Sequence, residues 1–284
     1  MSVKGVIVAA GYGSRLLPIT RVVPKELLPL VDRPAIDFIV QEFVEAGIEE
    51  LLVITSRRKR ALEDWFDRDP ELDEVFAREG ATDKLRRSQP PKIRAYTVRQ
   101  TTMGGTGDAL RLVRAFAGTD PVVVAYPDDL FVGCNVTSQL IEAHAQTGCC
   151  ALIAEDLGDV DVSRYGVLDA VTEGELLRVR RIVEKPPAGT EPSKMVTYGR
   201  YLYTPEFFPV LDAHFERHTS GEFYPMGAIE QMAGDGKVVA ALLQGSRRDT
   251  GTALGYMKAT IDEALARPDL GPALRAWLSE RLQS

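Results

Sequence analysis

Gly11-Tyr12-Gly13-Ser14-Arg15 lies directly after an apolar run near the start of this chain, and Lys25 follows in the same loop. Backbone N–H groups exposed by glycine turns, joined by two cations, suit a triphosphate whose charge must be neutralised while its α-phosphorus is attacked. A tight turn with two solvated charges is the plainer reading of the same residues. A second segment, Gln100-Thr101-Thr102-Met103-Gly104-Gly105-Thr106-Gly107-Asp108-Ala109, lets a flat base approach its glycines, and Gln100 offers a donor and an acceptor to a base edge. Asp108 reads as an acid in the first turn of a helix, favoured by the helix dipole. Asp128-Asp129 ends an apolar strand, a rigid element on which a carboxylate can be held for Mg²⁺, and Asp249 in Arg248-Asp249-Thr250-Gly251 is a second carboxylate of the same kind. A turn or a cap is the alternative for each Asp. Glu184-Lys185-Pro186 sets a hydroxyl acceptor beside a phosphate-binding cation.

Other constellations fail in detail. A dinucleotide fingerprint needs a third glycine where Leu16 stands and a helix that opens at once, whereas Pro18 and Pro24 interrupt the segment. Asp32 has a suitable separation for a ribose acid but stands alone, and no Walker A sequence occurs. His214 and His218 are spaced i and i+4, yet Phe215 occupies the Glu position of HExxH, which leaves a helix surface. Cys134, Cys149 and Cys150 form neither a disulfide framework nor a zinc spacing, as expected in a reducing compartment. Lys and Arg total 34 against 41 Asp and Glu, and the resulting charge of -7 argues against a nonspecific nucleic-acid binder. The N-terminus shows no signal-peptide pattern, and no apolar run approaches the roughly 18 residues of a membrane span. The expectation is a cytoplasmic protein with neither a nucleic-acid nor a membrane partner.

The elements that must position these residues follow from periodicity. Val3 to Ala10 is a nearly continuous apolar run, as in a buried parallel strand. Pro34 to Ala46 has helical spacing of apolar residues and stops at Gly47, and Glu50 to Thr55 is the next strand, completing a βαβ unit. Short helices are predicted around Ala61–Phe66 and Leu72–Phe76, then a strand over Ile93–Val98, a helix over Thr106–Phe116 and a strand over Pro121–Tyr126. A helix over Val136–Gly148 and a strand over Cys150–Ala154 complete a doubly wound α/β core. Beyond it, Tyr165–Asp169 and Leu176–Val183 read as a hairpin, Val196–Tyr203 as one strand, and Pro205–Phe215, Leu254–Leu265 and Pro272–Leu282 as helices.

Taken together, the segments resemble the bacterial UTP-glucose-1-phosphate uridylyltransferases of the sugar nucleotidyltransferase family, from Lys4 to about Leu265. The specific part is Ala9-Ala10-Gly11-Tyr12-Gly13-Ser14-Arg15-Leu16-Leu17-Pro18 followed by Pro24-Lys25-Glu26-Leu27-Leu28-Pro29-Leu30-Val31-Asp32-Arg33-Pro34. Support comes from Val98-Arg99-Gln100, Gly105-x-Gly107, Pro127-Asp128, Tyr165-Gly166-Val167, Val183-Glu184-Lys185-Pro186, Gly199-Arg200-Tyr201, Gly221-Glu222 and Asp249-x-Gly251. The resemblance implies an α/β fold with a Rossmann-like, doubly wound mixed sheet and a small sugar-binding β/α extension. A single catalytic domain would span 1–265, with a peripheral helical tail over 266–284.

It implies further that Ala9, Ala10, Gly11, Gln100 and Gly105 surround the uracil and ribose, with Gly13 on the nucleotide side. Arg15 and Lys25 would face the triphosphate, and Asp128 and Asp249 would hold Mg²⁺. Gly166, Glu184 and Gly199 would contact glucose, Lys185 its phosphate, and Glu222 would be a further sugar-site residue. UTP and glucose 1-phosphate would be the substrates, UDP-glucose and pyrophosphate the products, and the protein a homodimer or homotetramer. Three departures from the family pattern stand out: Asp108 replaces a common His, Phe223-Tyr224-Pro225-Met226-Gly227 replaces Ile-Gln-Leu-Thr-Asp, and Asp249-Thr250-Gly251-Thr252 resembles the glucose-1-phosphate thymidylyltransferase branch. That branch, another sugar-1-phosphate nucleotidyltransferase, and a noncatalytic sugar-nucleotide-binding regulator are the alternatives.

Overall fold

A computed structural model describes residues 2–283. The chain runs through β1 (Lys4–Val8), β2 (Pro29–Leu30), β3 (Arg33–Pro34), α1 (Ala35–Glu45), β4 (Glu50–Thr55), α2 (Arg60–Asp64), α3 (Pro70–Arg78), α4 (Thr82–Arg87) and β5 (Arg94–Arg99). It continues with α5 (Thr106–Arg111), α6 (Arg114–Ala117), β6 (Val122–Ala125), β7 (Asp129–Val132), α7 (Val136–Thr147), β8 (Cys150–Asp156), β9 (Gly166–Glu173) and β10 (Leu176–Glu184). The last part holds β11 (Met195–Thr197), β12 (Arg200–Tyr203), α8 (Phe207–Glu216), α9 (Met226–Gly234), β13 (Val238–Leu242), β14 (Ser246–Asp249), α10 (Ala253–Ala266) and α11 (Gly271–Gln283).

Ten strands form one mixed sheet in the order β11-β9-β10-β13-β8-β12-β6-β1-β4-β5. The β6-β1-β4-β5 part is parallel; β6, β1 and β4 are mostly apolar runs because both of their faces are covered, whereas β5 at the sheet edge is polar and largely exposed. Side chains alternate across it. Val6, Ile54, Val124 and Leu152 pack on one side with Leu110 of α5 and Phe207 and Phe208 of α8. Ile7, Val53, Val123 and Ile153 pack on the other with Ile36, Ile39 and Phe43 of α1 and Leu140 of α7. The carboxyl ends of β1, β4 and β6 therefore open at one edge, where the loops carrying Gly11, Lys25 and Asp128 begin.

The structure corrects several sequence expectations. The predicted strand over Val196–Tyr203 is two strands, separated at Gly199, whose φ of 71° is left-handed. A Cβ at 199 would lie 2.6 Å from the Cβ of Asp129, so glycine is required there by both backbone and space. The helix over Thr106–Phe116 is broken into α5 and α6. Short apolar Val238–Leu242, left unassigned by periodicity, becomes β13 inside the sheet, parallel to β8. Also unforeseen is the two-stranded pairing of β7 with β14, in which Asp249 faces Asp129. The C-terminal helices are tied back to the core: Arg267 donates to Asp32 at 2.5 Å and to Asp269 at 2.6 Å. The Arg267 hydrogen bond holds the Asp32 carboxyl below its ordinary pKa.

Candidate active site

A cleft of about 390 Å³ opens at the carboxyl edge of the parallel strands, a size suited to a small-molecule ligand. The loop after β1 supplies Ala10, Gly11, Gly13, Arg15 and Lys25, the loop after β5 supplies Gln100 and Gly105, and Tyr126, Asp128, Glu222 and Gly251 complete the wall. The first loop is wound into three short 3₁₀ turns, Ser14–Leu16, Ile19–Arg21 and Lys25–Leu27. Its prolines thus shape a compact turn sequence where a dinucleotide-binding helix would begin. Gly13 has φ 66°, and Thr20 Oγ1 donates to its carbonyl at 2.9 Å. Ala9 lies beneath the cleft and is buried, with its N–H donating to Ile54 O at 2.8 Å.

Lys25 Nζ donates to Asp128 Oδ1 across the cleft. The β7–β14 pairing brings Asp249 to the same place. Thr250 N–H donates to Asp128 O at 2.7 Å, and Thr250 Oγ1 does so at 3.0 Å. Asp249 Oδ1 accepts from Gly251 N–H at 2.8 Å, and Thr252 Oγ1 caps α10 at Gly255. A Cβ built on Gly251 would lie 3.0 Å from Asp128 Oδ2 and 3.2 Å from Asp249 Oδ1, so both carboxylates border a space that only glycine leaves free. Among the described residues no group of three or more His, Cys, Asp and Glu gathers as a metal site. Two carboxylates beside an open cleft suit Mg²⁺, which keeps most of its positions for phosphate and water oxygens. The neighbouring Asp129 serves differently: it is buried, accepts from Arg247, and its backbone carbonyl accepts from Arg200 at 3.1 Å.

Sequence reasoning passed over the residue that braces the first loop. Lys59 is buried and donates to Ala9 O at 2.6 Å and to both carboxylate oxygens of the buried Glu26 at 2.8 Å. Burial lowers the Lys59 pKa, against the raising effect of Glu26. The pair ties the strand end at Ala9 to the residue next to Lys25. Lys59→Met is expected to destabilise the protein by about 3–5 kcal/mol, because Glu26 would be left charged and buried. Adding Glu26→Leu should recover most of that loss. Urea denaturation of both variants checks this; equal stability of Lys59→Met and the parent would remove the brace from the account.

The second loop is held by backbone. Phe223 N–H donates to Gly104 O at 2.7 Å, and Gly107 N–H donates to Phe223 O at 2.8 Å. Gly105 has φ 98°, and a Cβ there would lie 2.4 Å from Phe223 O. The buried Phe223, one of the departures from the family pattern, is therefore a clasp on the glycine segment. Gln100 Nε2 donates to Gly105 O at 3.0 Å and to Asp108 Oδ2 at 2.8 Å.

Gly166 opens β9 opposite Glu184, the last residue of β10. A Cβ on Gly166 would lie 3.3 Å from Glu184 Oε2, so the carboxylate rests over the glycine. Lys185 follows with φ 46°; its N–H donates to Tyr165 O at 2.9 Å, and its Nζ lies 3.2 Å from Glu184 Oε1 and 5.9 Å from the Tyr224 ring centre. Tyr224 OH donates to Glu222 Oε2. Burial raises the Tyr126 pKa, and the Glu184 charge raises it further. Gly166, Glu184 and Lys185 form one group that is linked through Tyr224 to Glu222, the member that lines the cleft, whereas Gly199 packs against Asp129. The histidines are props: His214 Nε2 meets Gln231 Oε1 at 3.0 Å, and His218 Nε2 meets Gly221 O at 3.1 Å.

A UTP–glucose-1-phosphate uridylyltransferase of Staphylococcus epidermidis is 37% identical over 281 residues, spanning 98% of this chain and 97% of that protein. The UTP-bound UGPase from Acinetobacter baumannii superposes with a TM-score of 0.88 at 31% identity, over 99% of both chains. A UDP-glucose pyrophosphorylase complexed with UDP-glucose superposes with a TM-score of 0.82 at 32% identity, over 94% of this chain and 100% of that one. Residues 4–264 match the family described as Nucleotidyl transferase, and the chain belongs to that family.

Proposed function

We propose that the chain transfers the uridylyl group of UTP to glucose 1-phosphate, forming UDP-glucose and pyrophosphate. The observation that carries this reading is the convergence of Lys25, Asp128 and Asp249 at one end of a cleft whose other wall is Gln100 and Gly105. The uridylyltransferase relative and the similar structures, one UTP-bound and one complexed with UDP-glucose, support the same substrates.

In this reading the backbone of Gly11 and Gly13, with Arg15 and Lys25, holds the triphosphate, and Gln100 and Gly105 hold the base. Glu184 and Gly166 receive the sugar, and Lys185 aims its phosphate. An oxygen of the glucose 1-phosphate monoester attacks the α-phosphorus; that O–P bond forms as the bond to the pyrophosphate oxygen breaks. A phosphate monoester is already nucleophilic, so the chain supplies orientation and charge neutralisation rather than a nucleophile of its own. Asp128 and Asp249 would hold Mg²⁺, which when bound neutralises charge between the phosphate oxygens. A homodimer or homotetramer belongs to the same reading, supported by Leu254, Met257 and Ile261, exposed along one face of α10.

The test is pyrophosphate release from UTP, dTTP, CTP and GTP, each with glucose 1-phosphate, mannose 1-phosphate or N-acetylglucosamine 1-phosphate, in Mg²⁺ and in EDTA. UTP with glucose 1-phosphate is expected to be preferred and EDTA to abolish release. Preference for dTTP would move the chain to thymidylyl transfer, and no release from any pair would favour a binding role.

A further inference from the structure

The side chain of Gln100 is held in one orientation. Its N–H donates to Thr55 O at 2.9 Å, fixing its backbone to β4, and the residue is only 6% exposed. Its amide nitrogen faces the Gly105 carbonyl at 3.0 Å and the Asp108 carboxylate at 2.8 Å. A carbonyl and a carboxylate only accept, so the atom between them must be the NH₂ group, and both of its hydrogens are used inside the protein. Among the described residues Oε1 receives no hydrogen bond, and it is not among the enclosed unpaired atoms, on a side chain that lines the cleft. Gln100 therefore offers the cleft a lone acceptor.

We infer that Asp108 is a positioning residue for base selection: it locks Gln100 with its carbonyl toward the base, so that the site reads an imino N–H and rejects cytosine. The inference rests on the reading of the cleft as a nucleoside triphosphate site. Uracil presents N3–H to the Gln100 oxygen. Cytosine presents an unprotonated N3, which places acceptor against acceptor. Rotating the amide would restore a donor, but it would drive Oε1 onto the Asp108 carboxylate and the Gly105 carbonyl. Thymine shares the N3–H, so this device does not separate UTP from dTTP. Asp108, placed at the start of α5, thus does more than complement the helix dipole, and its replacement of a His changes what sits behind the base-reading amide.

Calorimetric titration of the full chain with UTP and with CTP, in Mg²⁺, tests this. The parent protein is expected to favour UTP by about 100-fold or more, since a mismatched acceptor leaves a buried polar group unpaired. Asp108→Ala should lower the UTP/CTP ratio about tenfold, chiefly by tightening CTP, because the charged acceptor is gone and only the Gly105 carbonyl still opposes turning of the amide. Asp108→Asn adds an NH₂ that can turn to meet a rotated Gln100 oxygen, so it should lower the ratio in the same direction as Asp108→Ala, and an Asn variant that weakens UTP and CTP equally would count against the inference. Gln100→Met, which removes the acceptor, should lower the ratio at least as far as Asp108→Ala and serves as the second variant if Asp108→Ala does not fold. Equal weakening of both nucleotides in Asp108→Ala, or an unchanged ratio in Gln100→Met, would overturn the inference while leaving nucleotidyl transfer intact. Absence of UTP binding and of pyrophosphate release by the parent protein would overturn the functional reading, and the inference with it.

Discussion

Asp128→Asn is expected to lower turnover by roughly 10²–10³ while the protein stays folded, the loss typical of removing a group that stabilises charge in the transition state. The substitution keeps the shape of the side chain and removes its charge. The backbone turn should persist, because Thr250 bonds to the Asp128 carbonyl and not to its carboxylate. What changes is the pairing with Lys25 and the half of the carboxylate pair that faces the cleft at Gly251. The Mg²⁺ concentration for half-maximal turnover should rise together with the fall in kcat. Steady-state rates across a Mg²⁺ titration, with a thermal melt as control, check both. Parental turnover with an unchanged metal response would remove Asp128 from the mechanism.

Lys185→Ala carries the second large effect, on the other substrate. The ammonium lies next to Glu184 and is held there by a left-handed backbone that a non-glycine residue adopts at a cost of about 1–2 kcal/mol. That conformation turns the chain at the end of β10, where the Lys185 N–H donates to Tyr165 O and its ammonium pairs with Glu184. Loss of the cation that aims the attacking phosphate should reduce kcat/KM for glucose 1-phosphate about 100-fold, as misplacement of a reacting group does. UTP affinity should be nearly unchanged. Initial rates against each substrate, with UTP titrated separately, distinguish this from a fold defect; an equal loss for both substrates would reject the placement of Lys185 on the sugar-phosphate side.

Much of the site is legible in the sequence because the chemistry sits where strands end. Gly11, Lys25 and Asp128 follow runs such as Val6-Ile7-Val8 and Val122-Val123-Val124 that are unmistakably buried strands, and open α/β sheets place ligands beyond those ends. What was illegible depends on pairing between distant segments. Asp249 meets Asp128 only through the β7–β14 ladder, and neither four-residue strand has a periodicity of its own. Lys59 stands in a charged stretch, Arg57-Arg58-Lys59-Arg60, that reads as a solvated surface. The signal that separates it is the buried Glu26 across the first loop, a contact visible only in three dimensions. Phe223 reads as a lost motif, and its backbone bonds to Gly104 and Gly107 show a clasp that the departure preserves. The strand predicted over Val196–Tyr203 failed at Gly199, since alternation continues across a residue whose left-handed backbone ends the pairing.

The most direct measurement is pyrophosphate release with UTP and Mg²⁺, first alone and then after addition of glucose 1-phosphate, at enzyme concentrations high enough to see a single turnover. Direct attack by the sugar phosphate predicts no release from UTP alone, and then one pyrophosphate for each UDP-glucose once glucose 1-phosphate is added. A stoichiometric burst with UTP alone would reveal a nucleophile on the protein and contradict the account, as would the absence of release after both substrates are present.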